Sequence, residues 1–415
     1  MDILILHRIP YHKIQYHLGI DHEKHNVTYV GTPSQLANLP EDLRAARLAR
    51  PGLADAASET LSLLAEHAKR FDRVISLSEY ELMDAARIRQ ALNIPGPSES
   101  EVLVVRDKLI MKRLVAAAGI RVPEAMPLSS LLARRQASWA GPTVLKPVDG
   151  ASSEDVQIFP FVQAMLAALR NRLSGIRKLD EEQESHADRF EAEAFIAGPI
   201  LHLDGLIRDG RIVALLGSRY VGTCLGFAQG EPLGSAQFLL SDAQTQWAQT
   251  VTQAIGLRSG AFHLEVIDDG GEWVFLEIAN RVGGADVVDT FQLTTGLHLP
   301  SAELALACGE PLPAPASPAQ PVFHGWFVFP GHRLPDGPFQ LTGHQPFLDS
   351  PLLLRHSLLA PDAPRPGHPS YQAFESPFAG IISGSSHQAL QTWLESLFAS
   401  VQLSTSVSPE EAACR

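Results

Sequence analysis

The sequence predicts an α/β protein of more than one domain, with an open parallel sheet at the N-terminus followed by mixed α+β lobes. Three observations carry this. The chain has 415 residues, more than one hydrophobic core ordinarily serves. Its first 97 residues alternate short apolar runs with helical patterns, as parallel strands covered by helices do. Its middle holds strand patterns joined by tight acidic glycine turns, "RDG" at 208–210 and "DDGG" at 268–271, which read as hairpins.

In the first unit, "DILILHR", "HNVTYVG" and "FDRVISLS" read as strands. "PEDLRAARLAR", "ASETLSLLAEHAKR" and "EYELMDAARIRQALNI" show helical spacing. The unit closes near Pro95-Gly96-Pro97. A helix in "SEVLVVRDKLIMKRLVAAAGI" stops at Gly119, ahead of Pro123. "TVLKPVDGASSEDVQIF" reads as strand, glycine-serine loop, strand, and "PFVQAMLAALRNRLSGI" as a helix. "RKLDEEQESHADR" reads as a solvated, mobile charged stretch without regular structure. Strands follow through residues 190–222, then a helix at 241–256 and a hairpin at 263–281. "ADVVDTFQLTTGLHLPSAELALACGE" is helical apart from its central TGLHLP. "PLPAPASPAQP" (311–321) reads as a linker or domain crossing. Beyond it are short strands ("VFHGWFVFP", "GIISGS") and one helix, "SSHQALQTWLESLFASV". The expected units are therefore 1–97, 98–310 (with a smaller lobe at about 120–195) and 311–415.

Composition excludes several classes of function. At 45% hydrophobic and 19% charged the chain is an ordinary globular mix, and its net charge of −13 disfavours nucleic acid or an anionic membrane as partner. Three distant cysteines (Cys224, Cys308, Cys414) form neither a disulfide framework nor a zinc pattern, and a reducing cytoplasm is the expected compartment. The opening "MDILILHRIPYHK" has too short an apolar run for a signal peptide or a membrane span.

The hairpin carries the chemistry. Residues two apart on a strand share a face, so His263 and Glu265 point one way, with Phe262, Leu264 and Val266 behind them. On the partner strand Glu277, Ala279 and Arg281 share a face while Leu276 and Ile278 pack. Two carboxylates on facing strands repel unless something compensates, and a divalent cation such as Mg²⁺ does so with oxygen ligands. A surface Glu–Arg ladder is the alternative. Lys108 at a helix start, Lys146 at a strand end, and the small residues Gly150, Ala151, Ser152 and Ser153 form a second group, suited to holding a polyphosphate.

The ordered run "RDKLIMKRLVAAAGIRVP", "VLKPVDGASS", "EAFIAG", "HLEV…FLEIANRVGG" resembles the ATP-grasp superfamily, and within it the carboxylate–amine ligases, including L-amino acid ligases and biotin-carboxylase-like members. The resemblance covers roughly residues 1–310. It implies an ATP-grasp fold with an N-terminal open α/β domain, a small lid lobe, a larger catalytic lobe and a C-terminal extension. It implies that Lys108 and Lys146 bind nucleotide phosphates and that residues 150–153 close over them. It implies that Glu193 with the backbones of Ala194 and Ile196 reads the adenine edge, that Glu265 and Glu277 hold metal, and that Arg281 steadies the transferring phosphoryl group. The expected cofactors are ATP and Mg²⁺, with Mn²⁺ as substitute. The expected partners are small carboxylate and amine substrates, with a homodimer left open.

Two positions depart from the family pattern. Ala279 stands where an Asn is frequent, which weakens the hold on a second metal ion, and Ile200 stands where a ribose-binding Glu is frequent. The implied reaction activates a carboxylate as an acyl phosphate for attack by an amine, giving ADP and phosphate. Alternatives are a carrier thiol or biotin-type bicarbonate acceptor, and a nucleotide-binding regulator without turnover; the intact set of Lys108, Lys146, Glu265, Glu277 and Arg281 argues against the last. Asp204 and the segment 218–230 lie where the family shapes substrate pockets, although Asp204 equally reads as a turn initiator. Among His7, His12, His17, His22 and His25 the spacing fits no single helical face, and His7 with Arg8 is expected at the ligand-collecting end of the first strand. A hydrogen-bonded His263, an inert Cys224 and a core Trp326 complete the expectations.

Overall fold

The computed structural model describes residues 1–65, 69–312 and 322–405. Strands β1 (Asp2–Leu6), β2 (Asn26–Gly31), β3 (Ala46–Ala49) and β4 (Arg73–Ser76) form a parallel sheet in the order β3-β2-β1-β4. Its two faces are read directly from β1. Ile3 and Ile5 join one apolar cluster and Leu4 and Leu6 another, because successive side chains point to opposite faces and both faces are covered. β3 is a correction: "ARLA" lies inside a stretch with helical spacing, yet it pairs with β2 from Thr28↔Ala46 to Gly31↔Ala49. The ladder to a neighbouring strand outweighs the small helix preference of four residues.

The next unit is a four-stranded sheet of β5 (Ala125–Pro127), β6 (Thr143–Pro147), β7 (Gln157–Phe159) and β8 (Phe190–Ala194), in the order β5-β8-β6-β7 and antiparallel throughout. The charged stretch at 177–189 is a second correction. It forms the helix Arg177–His186, broken at Glu182, and a following 3₁₀ turn. Leu179, buried in the small lobe's core, anchors it, and Arg177 pairs with Glu181 one turn on at 2.7 Å.

The large sheet contains β9 (Ile200–Arg208), β10 (Arg211–Val221), β11 (Leu233–Phe238), β12 (Gly260–Asp269), β13 (Glu272–Ala279), β14 (Phe323–Phe329), β16 (Leu353–Leu358) and β17 (Phe378–Gly384). Their order is β13-β12-β9-β10-β11-β14-β17-β16. Three of the C-terminal strands thus extend this sheet, while β15 (Phe339–Thr342) and β18 (Gln402–Thr405) pair apart from it. Two of its turns have positive φ at both central residues, Asp209 and Gly210 in one, Gly270 and Gly271 in the other, as two-residue type I′ hairpin turns require. The helix Asp242–Ile255 starts at a Ser241/Gln244 capping box and stops at left-handed Gly256. With the helix Lys108–Ala117 it packs on one face of the sheet, around Phe262, Leu264 and Val266. The other face carries the site. The proline-alanine stretch 311–321 lies almost wholly outside the described residues. Among the described residues no helix is long and apolar enough to cross a membrane.

Candidate active site

In the β12–β13 hairpin Glu265 is directly paired with Glu277, and Val266 with Phe275. Leu276 is therefore the extra residue of a bulge rather than a packing partner of Ile278, and it is only half-buried. On the other side of β12, Glu265 pairs with His202 of β9 and His263 with Asp204. Paired residues share a face, so His202, Asp204, His263, Glu265 and Glu277 line one side of three adjacent strands.

This face opens into a cavity of about 700 Å³. Its wall includes Glu265, Glu277, Arg281, Glu79, Tyr220 and the loop residues Ala151, Ser152 and Ser153. Ser152 and Ser153 both have left-handed φ, 57° and 55°, uncommon for residues with a side chain. At Gly150 a Cβ would lie 3.0 Å from the Pro147 side chain, so close approach to that ring excludes bulk there.

The charges around the carboxylate pair are compensated. Lys108 Nζ lies 3.1 Å from Glu277 Oε2 and donates to the Gly150 carbonyl at 2.7 Å. Burial works to raise the Glu277 carboxyl, but Lys108, Lys146 and Arg281 outweigh it and hold it below its ordinary value. Tyr220 donates its hydroxyl to Glu265 at 3.2 Å. Arg281 Nε donates to Glu79 at 2.6 Å, and Arg106 pairs with the same carboxylate. Burial would lower the Arg281 guanidinium, but Glu79 raises it further, keeping it charged.

Lys146, whose charge also reaches Glu277, has its nearest partner in Glu193. Lys112 Nζ bridges Glu191 and Glu193 at 2.5 and 2.7 Å, and Lys146 Nζ lies 2.6 Å from Glu193. All four groups are buried. The Glu193 carboxylate is thus paired with two lysines. The Ala194 N–H is likewise taken, by the Glu124 carbonyl at 2.8 Å. Ile196 follows β8, half-buried. Neither departure is made good by a neighbour: Asn280 donates to the Ala261 carbonyl at 2.7 Å, and Ile200 packs among apolar residues around Tyr220 and Trp326.

Beneath Glu265 lies a buried polar chain. Ser235 Oγ is 2.6 Å from His202 Nε2, His202 Nδ1 is 2.6 Å from Asp204, and Asp204 is 2.8 Å from His263 Nδ1. His263 Nε2 in turn lies 3.5 Å from Glu265. Asp204 is therefore neither a turn residue nor a pocket wall. Burial would lower the His263 imidazolium, but Asp204 pushes it up to about 9. Burial pushes the Cys224 thiol up, leaving it inert. His7 is fully buried against Tyr16 and Asn38, away from the cavity, whereas Arg8 lines it and stacks on Tyr80.

Sequence reasoning missed Glu79, Arg106, Lys112, Glu191 and His202. Lys112 was findable, one helical turn from Lys108, and so was Glu191, two residues from Glu193 on one strand face. Glu79 carries no local signal, because its partner Arg281 is 202 residues away.

Parallel N-terminal sheet, small antiparallel lobe and large antiparallel sheet together are the ATP-grasp fold, in the form seen in carboxylate–amine ligases. No family model matches the chain. At the level of individual proteins, it is similar to the L-arginine-specific L-amino acid ligase of Bacillus subtilis, 26% identical over 228 residues, which are 52% of this chain and 53% of that one. It therefore aligns with about half the length of that relative. Among solved structures it resembles an L-amino acid ligase from Bacillus licheniformis, with a TM-score of 0.71, 17% identity, and coverage of 98% and 99% of the two chains. It also resembles carboxyaminoimidazole ribonucleotide synthase from Aspergillus clavatus, solved with ATP, with a TM-score of 0.65, 14% identity, and coverage of 96% and 97%.

Proposed function

We propose that this chain is an ATP- and Mg²⁺-dependent ligase that activates a carboxylate, an amino acid or other small acid, as an acyl phosphate and joins it to an amine, giving an amide with ADP and phosphate. The observation that carries this reading is the direct pairing of Glu265 with Glu277 on the wall of one cavity, with Arg281 beside them. The similarity to amino acid ligases points the same way.

The donor set fits a divalent cation: two carboxylates share one face, and oxygen donors are what Mg²⁺ prefers. Glu265 and Glu277 would hold it, and when bound it would neutralise charge on the transferring phosphoryl group. Lys108 spans Glu277 and the carbonyl of Gly150, so it would couple the metal carboxylate to the phosphate loop. Ala151, Ser152 and Ser153 offer backbone N–H groups to an anion. Lys146 would reach phosphate only by sharing its ammonium with Glu193. Arg281, kept charged and oriented by Glu79, would stabilise charge that develops in the transition state. Closure of the 150–153 loop over the cavity would limit hydrolysis of the acyl phosphate.

The test is a phosphate-release screen with amino acids offered singly and in pairs, with products identified by mass spectrometry. Turnover that requires a carboxylate and an amine supports the reading. Phosphate release that no amine stimulates sinks it.

A further inference from the structure

We propose that Lys13 and Asp286 form a dipolar subsite in the cavity, in which Asp286 takes the ammonium of the amino acid whose carboxylate is activated and Lys13 takes the carboxylate of the amino acid whose amine attacks. This inference rests on the ligase reading above and deepens it.

Both residues line the cavity that holds Glu265, Glu277 and Arg281. Lys13 belongs to the short helix Tyr11–Ile14 that follows the first strand, and Asp286 immediately precedes the helix Val287–Thr295. Asp286 stands at the N-cap position, where an aspartate ordinarily accepts from the backbone, yet its side chain makes no capping bond. Among the described residues its carboxylate has no hydrogen-bond or ion-pair partner, and neither has the Lys13 ammonium. The next acid along, Asp289, is different: Arg355 pairs with it.

The two opposite charges feel one another without closing into an ion pair. Both are partly buried. Burial pushes the Asp286 carboxyl up, with Asp289 adding to the effect, and it pushes the Lys13 ammonium down. Neither group closes an ion pair: Asp286 feels Lys13 and Arg355, and Lys13 feels Asp286, Asp289 and Glu375, only at longer range, and burial still outweighs them. A ligand that supplies both signs would relieve both.

Amide ligation leaves that pattern. The carboxylate of one amino acid and the amine of the other are consumed by the reaction. What stays ionised is one ammonium, on the carboxylate substrate, and one carboxylate, on the amine substrate. A single amino acid gripped by both of its charges would have no reacting group left, so each protein charge serves a different substrate.

The experiment uses the full chain with the amino acid pair that turns over in the phosphate-release screen. Each substrate is compared with its analogue lacking the non-reacting charge: the des-amino acid for the carboxylate substrate, the decarboxylated amine for the amine substrate. The parent protein should prefer each amino acid over its analogue by on the order of tenfold in kcat/KM, the worth of one charge-assisted hydrogen bond. Asp286→Asn should erase the preference for the amino group on the carboxylate substrate and keep the preference for the carboxylate on the amine substrate. Lys13→Met should do the converse. The KM for ATP and the thermal melting curve should hold in both variants. Full discrimination retained in both variants, or equal loss toward both substrates in either, overturns the subsite while leaving the ligase reading intact. If no amino acid pair turns over in the parent protein, the amino acid form of the ligase reading fails and the subsite falls with it.

Discussion

Glu265 and Glu277 stand opposite one another on neighbouring strands, and Lys108 Nζ lies 3.1 Å from the second of them. Direct cross-strand pairing of like charges is destabilising; Lys108, Lys146 and Arg281 offset it, and the proposed metal ion would offset it further. Glu277→Gln removes one charge and keeps the shape. It should lower ligation by about a hundredfold or more, as loss of one preorganised electrostatic contact does, while the melting temperature stays within a few degrees. Near-normal phosphate release by this variant would remove the metal assignment.

Lys112 makes the opposite kind of prediction, one about stability. It bridges two carboxylates that are almost wholly buried, Glu191 and Glu193. Lys112→Met would leave them with Lys146 alone. Removing one partner of a buried ion pair costs about 3–5 kcal/mol, and denaturant unfolding should register a loss of that size. A loss below about 1 kcal/mol would mean that the cluster is open to water in solution.

Glu303 gives a pH signature away from the site. Burial pushes its carboxyl from 4.5 up to about 8, only partly offset by a hydrogen bond from the Ala261 backbone. The folded state thus keeps this proton to higher pH than the unfolded chain does, and stability falls as pH rises from about 4.5 to about 8. Glu303→Gln should melt a few degrees above the parent at pH 8 and converge with it below pH 4.5. Melting curves that run parallel across this range would show the carboxyl to be ionised in the fold.

Much of this was legible in the sequence, for identifiable reasons. The hairpin announced itself through Gly270 and Gly271, and period-two spacing put His263 and Glu265 on one face. The helix start read at Lys108 and the helix read at 241–256 are both present, capped by Asp107 and Ser241. What was illegible depends on partners distant in the chain. β3 is a strand because β2 offers it a ladder, and nothing within "ARLA" says so. The helix at 177–186 rests on one apolar anchor, Leu179, too little for a periodicity. Asp204 read as a turn or pocket residue because its two histidine partners lie on two different strands, one of them 59 residues on. Glu193 matched a motif, but its surroundings depended on Lys112 from another element.

In the proposed reaction the terminal phosphoryl group of ATP activates the carboxylate, and Arg281, held by Glu79 at 2.6 Å, stabilises that transfer. Oxygen-18 placed in the substrate carboxylate tests it directly. Transfer through an acyl phosphate sends one labelled oxygen into the phosphate released, with ADP as the nucleotide product. Arg281→Ala should slow that labelling through kcat more than through the KM for ATP. Label in AMP, or AMP as the main nucleotide product, would contradict the account.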